Sequence, residues 1–170
     1  MKPSQFPFIL FLAVALAAPQ RLCAGTLDDA PFRIIVPGTE WQINDSAAQP
    51  MGENVSLIAT ISNTNTLLKS VVLKTVLAKA SAASLDELCA GINDSFSNPA
   101  VTKLSEANTT FLGYQTRTFA YQVTQGGKVS YNVAILFVAD GKGWTIAFVG
   151  RPDQKEDVRK AIKFYQKKTG

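Results

Sequence analysis

Between the turn signals Gln125-Gly126-Gly127 and Asp140-Gly141 lies KVSYNVAILFVA, whose centre, residues 133–138, is apolar at every position. A strand with one wet face alternates between apolar and polar residues, whereas an unbroken apolar run needs cover on both faces. The chain must therefore build a sheet with other elements packed on each side. The flanking segments supply neighbours. GWTIAFVG follows, with Trp144, Ile146 and Phe148 on one side, and FLGYQTRTFAYQV precedes, with Phe119, Tyr121 and Val123 on one face. Three strands joined by glycine turns predict an antiparallel meander from Thr110 onward.

The first half carries shorter signals. PFRIIVPGTEW reads as a brief strand, a Pro37-Gly38 turn and Trp41, and the small polar residues 42–53 read as loop. In NVSLIATIS, Val55, Leu57, Ala59 and Ile61 alternate with their neighbours as in a strand. After the turn-prone residues 62–66, LLKSVVLKTVLAKA favours strand by its β-branched content, although its Ala and Lys could propagate a helix. Ser84 and Glu87 form a capping box, and Leu85, Leu88, Cys89, Ile92 and Phe96 recur at helical spacing. That helix should stop before Asn98-Pro99. The last 25 residues contain a second helix, with acidic Asp153 and Glu156 at its start. Val158, Ala161, Ile162 and Tyr165 share its apolar face, leaving Arg159, Lys160, Lys163 and Lys167 for water. Its cations read as a solvated face rather than an anion-binding tool.

The chain's 170 residues, 46% apolar and 18% charged, suit one domain with its own core. Residues 1–24 read as an export signal: Lys2 is the positive start, residues 6–18 are the apolar run, and that run is too short to span a bilayer. Cleavage after Ala17 satisfies the small-x-small rule directly, and cleavage after Ala24 satisfies it less well. The domain then occupies residues 25–170. Cleavage after Ala24 leaves 15 basic against 13 acidic residues, a net charge of +2, which is no footprint for nucleic acid. An oxidising compartment permits a Cys23–Cys89 disulfide if Cys23 is retained. The alternative is Cys89 as a buried small hydrophobe on its helix.

Chemistry-bearing patterns are scarce. The chain has no histidine, which removes the imidazole-based nucleophilic arrangements and most zinc sites. Neither glycine-rich phosphate cradle occurs. The pairs Asp28-Asp29, Asp86-Glu87 and Glu156-Asp157 are sequence neighbours that diverge on a helix, and they read as first-turn residues rather than a catalytic dyad. We therefore expect no catalytic residue, no metal and no cofactor. Strand aromatics read mainly as core. Trp41, in or beside a loop, and Tyr114 are the candidates for ligand or partner contact. Asn44, Asn54, Asn93 and Asn108 each open an N-x-[ST] triplet, a glycan acceptor in a eukaryotic secretory path and of little meaning in a bacterium.

The order FRIIVPGTEW, strands, a helix opening SLDEL, then FLGYQTRTFAYQV–QGG–KVSYNVAILFVADGKGWTIAFVG and RPDQKEDVRKAIKFY resembles the PsbP-like family in its wide bacterial sense, including DcrB-type exported proteins. The resemblance covers residues 32–167. It implies an α+β fold, an antiparallel β-sheet with helices packed on its faces, and an accessory or assembly role rather than an enzymatic one. The expectation is an exported bacterial protein, periplasmic or secreted, with no membrane span after processing and with an unidentified protein or envelope component as partner. A small-ligand carrier with an aromatic-lined pocket is the second reading, and a hydrolase using carboxylates from distant loops is the third.

Overall fold

A computed structural model describes residue 27 and residues 29–45, 48–77 and 83–168. The export signal, its cleavage points and Cys23 lie outside the described residues. The strands are β1 (Phe32–Ile34), β2 (Trp41–Asn44), β3 (Gln49–Pro50), β4 (Val55–Asn63), β5 (Lys69–Val76), β6 (Val101–Phe111), β7 (Tyr114–Gln125), β8 (Lys128–Ala139), β9 (Lys142–Gly150) and β10 (Tyr165–Lys167). Helix α1 spans Ala83–Ser95, and α2 spans Lys155–Ile162 after a 3₁₀ turn at Pro152–Gln154.

The main sheet runs β2-β4-β5-β9-β8-β7-β6, with β3 also on β4, and every pairing is antiparallel. The apolar run of β8 sits inside it and is covered on both faces, as its sequence requires. Val133, Ile135 and Phe137 enter one cluster with Trp144, Ile146 and Phe148 of β9. Ala134 and Leu136 enter the other, with Phe119, Tyr121, Cys89 and Ile92. Helix α1 covers this second face. Its Leu88 methyls approach so closely that a Cβ on Gly143 of β9 would stand 3.0 Å from one of them. The first face is closed by a layer made of the two-stranded β1–β10 sheet and α2, whose Phe32, Val158, Ala161 and Tyr165 are buried in the first cluster.

Four expectations need correction. Residues 42–53 are not loop throughout: β2 and β3 both pair with β4, because the open edge of β4 accepts short polar segments that carry no alternation of their own. FLGYQTRTFAYQV is not one strand. Leu112 and Gly113 have φ of 55° and 84° and turn β6 into β7, a two-residue primed turn of the kind that matches strand twist. The meander begins at Val101 rather than Thr110. The closing helix stops at Ile162: the Lys163 and Phe164 amides donate to Lys160 and Ala161, and Tyr165 reaches the core from β10 instead. There, pairing with β1 satisfies the backbone, and the aromatic suits a strand.

Candidate functional site

The sheet ends in two different edges. One is blunt: β2 has 4 residues, β3 has 2, and β3 ends on Pro50. Short strands and proline are common guards against further pairing. The other edge is β6, 11 residues long, exposed at every position between Val101 and Phe111. Its partner on one side is β7, and it is the outermost strand of the sheet.

The tight turn fixes which β6 groups face outward. A two-residue turn makes Phe111 and Tyr114 a hydrogen-bonded pair, and such pairs alternate with non-bonded ones along an antiparallel ladder. The register pairs Thr109 with Thr116 and Ala107 with Thr118, so these continue the bonded set. Glu106, Asn108 and Thr110 fall between them and turn their N–H and C=O groups away from β7. A threonine ladder stiffens this end: Thr109 Oγ1 lies 2.8 Å from Thr116 Oγ1, and the Thr116 hydroxyl donates to the Thr109 carbonyl at 3.0 Å. The register shifts between Lys103 and Ser105, a bulge that interrupts the regular edge below residue 105.

Behind this edge an ionic clasp holds α1 to the sheet. Arg117 of β7 reaches Asp86 of α1 at 3.0 Å, Glu106 at 3.7 Å and the Asn108 side-chain carbonyl at 3.2 Å. Lys103 pairs with Glu106 and lies over the rings of Phe96 and Phe119. Cys89 is buried beneath, and burial pushes its thiol up to about 11, with Arg117 pulling weakly the other way. A thiol so placed is inert at neutral pH. Its proposed partner Cys23 lies outside the described residues.

Trp41 and Tyr114 do not form a common site. Trp41 opens edge strand β2, beside the turn that precedes it, and its ring meets Phe164 edge-on at 4.9 Å. Tyr114, at the other side of the sheet, stacks on Phe137 at 5.5 Å with Lys167 over its outer face. Both are half-buried and grip the same closing segment, 164–167, from opposite flanks. Among the described residues, no group of three or more Cys, Asp or Glu side chains is arranged to hold a metal, and no helix is long and apolar enough to cross a membrane. The four triplet asparagines fall on β2, before β4, on α1 and on β6.

Sequence reasoning overlooked β6 and the clasp. VTKLSEANTTF is polar on both faces, so it lacks the alternation that marks a half-buried strand. Its signals were the Thr109-Thr110 pair of β-branched residues and the Asn98-Pro99 break just upstream.

The comparisons bear on this architecture. No protein-family model matches the sequence, and no curated protein matches it. Among solved structures, the cyanobacterial PsbP protein CyanoP of Synechocystis sp. PCC 6803 superposes with a TM-score of 0.57 over 81% of this chain and 87% of its own, at 14% identity. The chain has the PsbP-like fold. Weaker similarity extends to PA94 of Pseudomonas aeruginosa, a protein of unknown function (TM-score 0.48, 11% identity, 79% of this chain and 81% of that one). It also extends to LpqN of Mycobacterium tuberculosis, involved in cell envelope biogenesis (TM-score 0.45, 13% identity, 86% and 95%).

Proposed function

We propose that this chain is an exported, non-enzymatic accessory protein of the bacterial cell envelope that binds another protein through its β6 edge. Its PsbP-like fold is common ground with CyanoP, and closer kinship with DcrB-type exported proteins is part of this proposal. The observation that carries the reading is the exposed 11-residue edge strand, with the backbone groups of Glu106, Asn108 and Thr110 directed outward. An extended segment of a partner adds to such an edge through main-chain hydrogen bonds, and alternate side chains supply specificity. The opposite edge is guarded by its shortness and by Pro50; β6 is guarded only at its bulged end.

A photo-crosslinking residue placed at Asn108 tests this in envelope extracts. The expected result is a discrete adduct that disappears when Thr110→Pro removes one outward N–H, and no such adduct from a crosslinker at Lys163. An Asn108 adduct that survives Thr110→Pro, or no adduct, overturns the edge as the binding element. Turnover of a substrate that is abolished by neutralising a single carboxylate would overturn the non-enzymatic reading.

A further inference from the structure

The described charges are divided unevenly. Arg33 and residues 151–168, which make up the outer part of the closing layer, carry eight Lys or Arg against three Asp or Glu. The remaining described residues carry six against nine. The described residues are thus divided, about +5 on the closing layer and about −3 over the rest. The three acids of the layer each have a cation in reach: Asp153 with Arg151 at 3.0 Å, Glu156 with Arg159 at 3.2 Å and Asp157 with Lys160 at 3.8 Å. The surplus is carried by groups such as Arg33, Lys155, Lys163 and Lys167. Lys163 projects from the end of α2, and Arg33 lies across from Gln166 on the outer side of the two-stranded sheet. Asp29 belongs to the other pole, since its carboxylate turns to Lys74 and Lys142 of the main sheet, 3.5 Å from each.

We infer that the closing layer is a docking face for an anionic lipid surface. Charge complementarity is the first argument: each cation held near an anionic bilayer contributes attraction that vanishes within a Debye length, and the layer holds a surplus of such cations. The second argument is where the chain emerges. The Leu27 carbonyl accepts the Lys168 ammonium at 3.0 Å, and the Lys168 amide donates to Pro31. The first described residue, Leu27, is thereby tied to the basic layer, and the apolar run 6–18 precedes it in sequence. This surface adjoins the Phe111 end of the β6 edge, where Lys167 lies over Tyr114.

Sedimentation of the protein with vesicles tests the inference. Vesicles containing phosphatidylglycerol should bind it at low salt, pure phosphatidylcholine vesicles should not, and binding should fall away by about 0.5 M salt. Lys163→Glu should weaken binding roughly tenfold or more, while Lys128→Glu, the same charge change at the β7–β8 turn, should leave it within about twofold. Both positions are exposed, so thermal melts should confirm that both variants fold. Equal binding to the two vesicle types, or equal loss in the two variants, would overturn the inference. Binding to polyglutamate without binding to anionic vesicles would also overturn it, assigning the layer to an acidic protein instead.

Discussion

Tyr165 carries its phenol into the core, where burial would leave it costly without a partner. Its hydroxyl meets the buried Ser70 hydroxyl at 2.6 Å, while its ring packs edge-on against Phe32 and Phe148. Burial raises the phenol's pKa and the Ser70 contact opposes this only in part, so the group stays neutral throughout the physiological range. Removing one partner strands the other. Tyr165→Phe and Ser70→Ala should each cost about 1–2 kcal/mol in denaturant melts, and the double variant should cost clearly less than their sum. Asp29 gives a pH-dependent case. Lys142, then Lys74, hold its carboxyl below the usual carboxylate range. A depressed folded-state pKa contributes stability above the ordinary Asp value, which is lost as pH falls through the depressed one. Asp29→Asn should therefore lower Tm near pH 7, and the two melting curves should converge below about pH 3. Trp144 Nε1 and Gln154 Nε2 are buried without a hydrogen-bond partner among the described residues, although Gln154 Oε1 accepts the Arg151 amide at 2.8 Å and so caps the turn into α2.

At the scale of elements, α1 and β6 depend on each other through Arg117. The Arg117–Asp86 contact is largely exposed on the Asp86 side, so Arg117→Met should cost under about 1 kcal/mol. Its clearer effect should be on opening. Cys89 should resist a thiol-reactive reagent in the native protein at pH 8, and Arg117→Met should speed its labelling several-fold, because α1 lifts more often. A Cys89 that reacts at the free-cysteine rate in a chain carrying Cys23→Ser would refute the buried placement. Proline substitutions separate the two sides of β6. Thr110→Pro removes an outward N–H and should change stability by no more than about 1 kcal/mol. Thr109→Pro removes a ladder donor opposite Thr116 and should cost about 2 kcal/mol or more. Equal costs would contradict this alternation, and a larger cost for Thr110→Pro would mean that it is reversed. Elements with strong periodicity were legible from residues alone: β8 through its unbroken apolar centre, β9 and α1 through their spacing. The edge elements were not. β2, β3 and β10 are held by a neighbour's open backbone, and their own side chains carry little pattern. The Leu112-Gly113 turn was hidden because leucine rarely takes positive φ, and only the glycine beside it hinted at a reversal.

For the whole molecule, the sandwich follows from one requirement, that β8 be covered twice. Its two covers differ in origin. One is a helix from the middle of the chain. The other is assembled from the two ends of the described chain, β1 and β10, with Phe32 of the first lying 5.5 Å from Tyr165 of the last. Candidate contact residues proved harder to place than layers. Trp41 and Tyr114 are aromatic and near turns in sequence, yet each is taken up by the closing segment, a tertiary fact with no local signature. A chain ending at Lys163 lacks Phe164, Tyr165 and β10. It should lose a single cooperative melt and bind hydrophobic dyes, because Phe32 and the β8–β9 face would be uncovered.

The pairing of Phe32 with Lys167 joins residues near opposite ends of the polypeptide. A nascent copy cannot form it until residue 167 has been made and has cleared the ribosome. Completion of the barrier to water over Phe137 and Trp144 must wait for that step, after which one short ribbon acts as the latch.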